Sequence, residues 1–165
     1  MPVNVRVLLA AALVLLPASR PAFAQPRGVT AEDYFAFESL GDPRFSPDGA
    51  TIAYVVTTID EKQNRRRSAI WAVAADGSQA ARQLTASSVS SNNPRWSPDG
   101  AAIAFLSARP GPGDAATATP KTQIWLLSLR GGEPTRLTSV ANGVTTFQWS
   151  PNGTRLVALS RSGAE

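Results

Sequence analysis

Ser160-Arg161-Ser162-Gly163 is the nearest this sequence comes to G-x-S-x-G, the strained turn that presents a nucleophilic serine, and it lacks the first glycine. A serine nucleophile also needs a base, and the chain contains no histidine. It therefore cannot supply a Ser-His-Asp or Cys-His set, nor the commonest zinc ligand. The absence of cysteine excludes disulfides and thiolate metal sites as well. No catalytic residue, cofactor-binding residue or metal ligand is assigned, and no cofactor is expected. Any nucleophilic reaction in which the protein takes part draws its base from elsewhere. Arg65-Arg66-Arg67 could meet phosphate or an acidic partner, but Asp60 and Glu61 neighbour it and no aromatic residues are interleaved for stacking, which is the pattern of a solvated loop. Asn152-Gly153-Thr154 matches the N-glycosylation acceptor formally. Its place in a repeated turn explains it sufficiently.

That turn organises the chain. Phe45-Ser46-Pro47-Asp48-Gly49 recurs as Trp96-Ser97-Pro98-Asp99-Gly100 and as Trp149-Ser150-Pro151-Asn152-Gly153, at intervals of 51 and 53 residues. Periods of this size signal propeller blades rather than helical solenoids. Proline at the second turn position presets φ, and Asp or Asn suits the third. Glycine at the fourth predicts the left-handed residue of a three-residue hairpin loop with a bulge. The segments that follow, 50–56, 101–106 and 155–159, are apolar with little alternation, so both of their faces must be covered. Ile70-Trp71-Ala72-Val73 recurs as Ile124-Trp125-Leu126-Leu127 and reads as a third strand. Asp76-Gly77 and Gly131-Gly132 follow as hairpin turns, and Arg82-Gln83-Leu84-Thr85 and Thr135-Arg136-Leu137-Thr138 as a more polar fourth strand. The fold class is all-β: a partial β-propeller of about two and a half four-stranded blades, occupying 42–165 with repeats starting near 42, 93 and 146.

Residues 1–24 read as a secretory signal peptide, with Arg6 ahead of an apolar run over 7–16, then Pro17 and the pattern Ala22-Phe23-Ala24. Cleavage is expected between Ala24 and Gln25. Ten apolar residues make about 15 Å of helix, half of a roughly 30 Å hydrocarbon core, so no stable membrane anchor is expected. The mature protein is then periplasmic or secreted. Removing Arg6 and Arg20 leaves 14 basic against 12 acidic residues, which gives no footing for nucleic-acid binding. The segment 25–41 carries a predicted short helix over 30–40, capped by Thr30 with Asp33 three residues on, favoured by Glu32 at its positive end and closed by Gly41.

Between the second and third strands the first repeat carries 57–68 and the second carries the Pro, Gly, Ala and Thr-rich 108–122. Both fall at the same point of the blade and so emerge on one face. Such insertions either mark a binding face or are solvated loops under no packing constraint. Trp71, Trp96, Trp125 and Trp149 recur in register and are read as structural. Propellers close with typically 4–8 blades. Two and a half cannot make a ring, so the sequence is expected to be an amino-terminal fragment of a longer protein or to assemble with other chains.

The aromatic-Ser-Pro-Asp-Gly turn, the Ile-Ala-aromatic strand, the Ile-Trp strand and the Leu-Thr ending resemble the blades shared by the prolyl oligopeptidase family of serine peptidases and the TolB translocation protein. Thr30-Ala31-Glu32-Asp33-Tyr34, leading through Gly41-Asp42-Pro43 into the first turn, is similar to the start of acylaminoacyl-peptidase and dipeptidyl-peptidase relatives. TolB-like proteins place a whole domain before the propeller, whereas 20 residues separate the expected cleavage site from Phe45 here. The peptidase resemblance implies partners within one longer chain: further blades and an α/β-hydrolase domain holding the triad, with the propeller gating access of short peptide substrates. The alternative is a non-enzymatic periplasmic TolB-like propeller that binds protein partners.

Overall fold

A computed structural model describes residues 27–115, 117 and 119–162; the expected signal peptide and its Ala24/Gln25 cleavage point lie outside these. The first sheet is built from β1 (Ser39–Phe45), β2 (Thr51–Asp60), β3 (Arg65–Ala74) and β4 (Arg82–Gln83). The second is built from β5 (Ser91–Trp96), β6 (Ala102–Ser107), β7 (Gln123–Ser128) and β8 (Thr135–Arg136). β9 (Thr146–Trp149) and β10 (Leu156–Leu159) form a third, two-stranded sheet. All pairings are antiparallel between chain neighbours, in the orders β1-β2-β3-β4 and β5-β6-β7-β8. The predicted all-β architecture of four-stranded antiparallel blades is what the chain adopts. Among the described residues no helix is long and apolar enough to cross a membrane.

The missing polar alternation in β6 and β7 has a direct cause. Phe105 pairs with Trp125, and one step along Leu106 pairs with Ile124. Because successive side chains point to opposite faces, these two pairs look at different blades. Phe105, Trp125 and Leu127 pack with Ile70 and Leu84 of the first blade. Ala104, Leu106 and Ile124 pack with Val144 and Phe147, ahead of and within β9. Ile103, Ala104, Phe105 and Ile124 are wholly excluded from solvent. The middle blade is thus apolar on both sides because it is covered on both sides.

Two expectations are corrected. The stretch 57–68 is no loop: β2 and β3 run on as ten-residue partners through Thr57↔Ser68 to Asp60↔Arg65, leaving 61–64 as the turn. The β-branched Thr57-Thr58-Ile59 favour the strand. A Thr57–Ser68 hydroxyl pair at 2.8 Å ties the two strands together. The predicted helix over 30–40 is reduced to one 3-10 turn, Glu32–Ala36. Phe37 is already extended, and Leu40 and Gly41, expected to end the helix, pair with Val56 and Val55 in the sheet. Thr30 does not cap through its side chain. Instead its backbone N–H donates to Asp33 at 2.8 Å, half of a capping box.

Candidate functional site

The Ser-Pro-Asp-Gly turns share one hydrogen-bond pattern. In the second, Ser97 N–H donates to Ala102 O at 2.9 Å and Gly100 N–H to Ser97 O at 2.8 Å. The Ser97 hydroxyl donates to Asp99 Oδ1 at 2.5 Å and accepts from Ala102 N–H at 3.0 Å, while Asp99 Oδ1 also takes Ala101 N–H at 3.0 Å. Ser46 and Asp48 repeat these contacts at 2.5, 2.9 and 3.0 Å. In the third turn Asn152 Oδ1 accepts from Ser150 at 2.8 Å and from Thr154 N–H at 3.2 Å, so an amide oxygen does the work of a carboxylate. The hydroxyl, then the backbone N–H, hold Asp48 and Asp99 below the usual carboxylate range. Gly49, Gly100 and Gly153 have φ of 73°, 70° and 71°, as the turn chemistry predicted. The loop itself differs from the expected three-residue form. Pro47 to Ala50 make a four-residue loop closed by Ser46 N–H to Thr51 O, because the serine side chain replaces a backbone acceptor for the returning N–H. Ser46 and Ser97 are held by carboxylates, Ser150 by an amide oxygen, and all three by backbone groups, with no imidazole base beside them. They are structural.

Each turn also stacks on the previous one. A Cβ added to Gly100 would stand 3.6 Å from Pro47 Cδ, and one added to Gly153 3.3 Å from Pro98 Cδ. The indole N–H of Trp96 donates to Arg44 O at 2.9 Å, and that of Trp149 to Arg95 O at 3.3 Å. These two tryptophans are half-buried and join neighbouring blades through hydrogen bonds, whereas Trp125, 3% exposed, is a core residue.

Beside the turns lies a feature the sequence reading missed. Asp42 and Asn93 take positive φ of 46° and 56°, and the strand register shifts at both, between Gly41 and Arg44 and between Asn92 and Arg95. Each is therefore the left-handed residue of a β-bulge, a conformation Asp and Asn tolerate. The bulges bring Arg44 and Arg95 to one carboxylate: Asp42 lies 2.6 Å from the first and 2.9 Å from the second. The signal was present as Asp42-Pro43-Arg44 echoed by Asn93-Pro94-Arg95.

The β2–β3 turn and the segment 108–122 both join second to third strands, at the end of the blades away from the Ser-Pro turns. Arg136 pins the second of these by donating to both oxygens of Asp114 at 2.6 and 2.8 Å, and holds that carboxyl below its usual range. Gly111 N–H completes the grip on Asp114 at 2.7 Å. The Arg109 guanidinium sits 5.1 and 5.2 Å from the ring centroids of Phe105 and Trp125, and its pKa is lowered by burial. Of the arginine triplet, Arg65 and Arg66 are exposed, while Arg67 reaches Gln63 at 2.7 Å, Asp60 and the Ser88 carbonyl. Among the described residues no three His, Cys, Asp or Glu side chains could share a metal ion. Ser160 is exposed and, among the described residues, its hydroxyl bonds the Arg161 carbonyl at 3.4 Å.

Residues 34–165 match the model of the TolB beta propeller domain. The chain is 36% identical over 135 residues to an uncharacterized peptidase, YuxL, of Bacillus subtilis, covering 82% of this chain and 19% of that protein. It is 25% identical over 134 residues to dipeptidyl-peptidase 5 of Porphyromonas endodontalis, covering 81% and 18%. Among solved structures it is similar to the acylaminoacyl peptidase of Pyrococcus horikoshii, with a TM-score of 0.57, 25% identity and coverage of 77% of this chain and 18% of that one. It is also similar to a putative TolB from Agrobacterium tumefaciens, with a TM-score of 0.55, 29% identity and coverage of 71% and 36%. The chain thus spans about a fifth of the length of the peptidases it matches. With its repeating blades and stacked Ser-Pro turns, the chain belongs to the TolB beta propeller domain family.

Proposed function

We propose that this chain is the propeller portion of an exported serine peptidase that acts on short peptides, the propeller gating a hydrolase domain supplied by the longer protein. The observation that carries this reading is the likeness to the Bacillus peptidase over 82% of the chain but 19% of its partner. The residues fit that division of labour. The described serines lack an imidazole base, and the blades offer a scaffold rather than a reaction centre. Export rests on the signal-like residues 1–24. By likeness to the dipeptidyl- and acylaminoacyl-peptidases, the products are dipeptides or acylated amino acids.

The likeness to the putative TolB supports a second reading, a propeller that binds protein partners without catalysis. The two part on one experiment. The purified chain should hydrolyse no aminoacyl or peptidyl ester. The longer gene product containing it should release dipeptides or acylated amino acids and lose that activity to a serine-directed fluorophosphonate. Hydrolysis by the chain alone would overturn the proposal, and a longer product that binds partners but leaves every peptide intact would favour the second reading.

A further inference from the structure

Three inner-strand positions recur once per blade as Arg44, Arg95 and Gln148, each beside an aromatic: Phe45, Trp96 and Trp149. Together with the turn prolines they line a groove of about 370 Å³ that crosses all three blades. Its lining holds two guanidinium groups and no carboxylate.

The charge balance behind that lining is unequal. Asp42 serves both arginines, with one oxygen 2.6 Å from Arg44 Nη2 and the other 2.9 Å from Arg95 Nη1. Arg95 Nη1 also donates to Pro94 O at 2.7 Å, which fixes its guanidinium in place. The two side chains are 46% and 21% exposed, so a second anion would meet cations that are already positioned and partly desolvated. The nearby turn carboxylates, Asp48 and Asp99, do not line the groove and are occupied by Ser46, Ser97 and backbone N–H groups. One positive charge is left over, at a place where planar forks sit beside aromatic rings.

We infer that this groove binds the carboxylate of an extended peptide, gripped by Arg44 and Arg95, with the Phe45 and Trp96 rings taking the neighbouring side chain and the exposed Gln148 amide meeting the peptide backbone. The site is independent of whether the longer protein is a peptidase, since nothing in it requires a hydrolase domain.

The test is calorimetric titration of the full chain with three acetylated pentapeptides: one uncharged apart from a free C-terminal carboxylate, its C-terminal amide, and that amide carrying one internal glutamate. The acid should bind about tenfold more tightly than the plain amide, the increment of a charge-assisted hydrogen bond. Binding of the glutamate amide with the affinity of the acid assigns the site to any carboxylate; binding at the level of the plain amide assigns it to chain ends. Arg44→Gln should remove about tenfold of the acid's affinity and leave that of the amide. Asp42→Asn provides a change of opposite sign. Asn93 occupies the same left-handed bulge position in the next blade, so the fold accommodates it, and loss of the internal competitor should tighten acid binding several-fold. Equal affinity for acid and amide, no binding of any peptide, or unchanged acid binding in both variants would overturn the inference.

Discussion

Phe105→Ala and Tyr54→Ala alter the same register position in consecutive blades, because Phe105 pairs with Trp125 as Tyr54 pairs with Trp71. Phe105 is fully buried against Ile70 of the first blade. Tyr54 lies half-buried on the far face of that blade, in an apolar hollow shared with Leu40, which is 72% exposed. A buried phenylalanine removes roughly 150–250 Å² from water. At about 25 cal/mol per Å² that corresponds to ~4–6 kcal/mol, an upper bound because the unfolded chain already hides some area. Large-to-small core changes of this type cost about 3–5 kcal/mol, and loss of the ring under Arg109 adds about 0.5–1 kcal/mol. Tyr54 keeps part of its ring in water, so Tyr54→Ala gives up less area and should cost ~2–3 kcal/mol. Urea unfolding of the 165-residue chain, followed by circular dichroism, measures both from midpoint and slope. If Tyr54→Ala proved as costly as Phe105→Ala, or Phe105→Ala cost under about 1 kcal/mol, inter-blade burial would not be what stabilises this chain.

Trp96→Phe keeps the ring but removes the donor to Arg44 O, and should cost about 1 kcal/mol in the same unfolding experiment. Gly49→Ala meets nothing within 4 Å and should show the cost of φ +73° alone, about 1–2 kcal/mol, whereas Gly153→Ala at φ +71° also presses on Pro98 and should cost measurably more. Asp48 and Asp99 have lowered pKa values in the fold, so their stabilisation is complete above the unfolded aspartate value of about 3.9 and is lost as pH falls through their lower folded values. Asp99→Asn, which copies Asn152, should flatten part of that acid dependence while leaving stability at pH 7 nearly unchanged, as thermal unfolding between pH 7 and pH 2.5 would show.

The blades were legible in the sequence because the same turn recurs at a nearly fixed interval, and a repeat carries its own alignment. The third strands emerged from Ile70-Trp71 and Ile124-Trp125 for the same reason. What did not repeat was harder to read. Residues 61–67 have the charged composition of a loop, but Arg65, Arg66 and Arg67 pair with Asp60, Ile59 and Thr58 in a strand that the β-branched Thr57, Thr58 and Ile59 favour, and the pairing decided the outcome. The predicted helix at 30–40 lost its second half to β1, because Leu40 and Gly41 gain a sheet partner that an isolated helix cannot offer. The bulges at Asp42 and Asn93 were hidden by their small size, one displaced residue each. The pairing of Arg95 with Asp42 spans 53 residues and depends on how blades stack. No local pattern announces it. The missing base, by contrast, was visible at once, since a residue type that is absent needs no structure to locate.

Reading the coding DNA past Glu165 in all three frames, over about 450 further codons, a length suited to several more blades and a hydrolase domain, tests the central claim most directly. The account predicts more Ser-Pro-Asp-Gly turns and then G-x-S-x-G, with Asp and His later in the chain. Blades that end without such a turn would contradict the peptidase reading and leave a binding propeller.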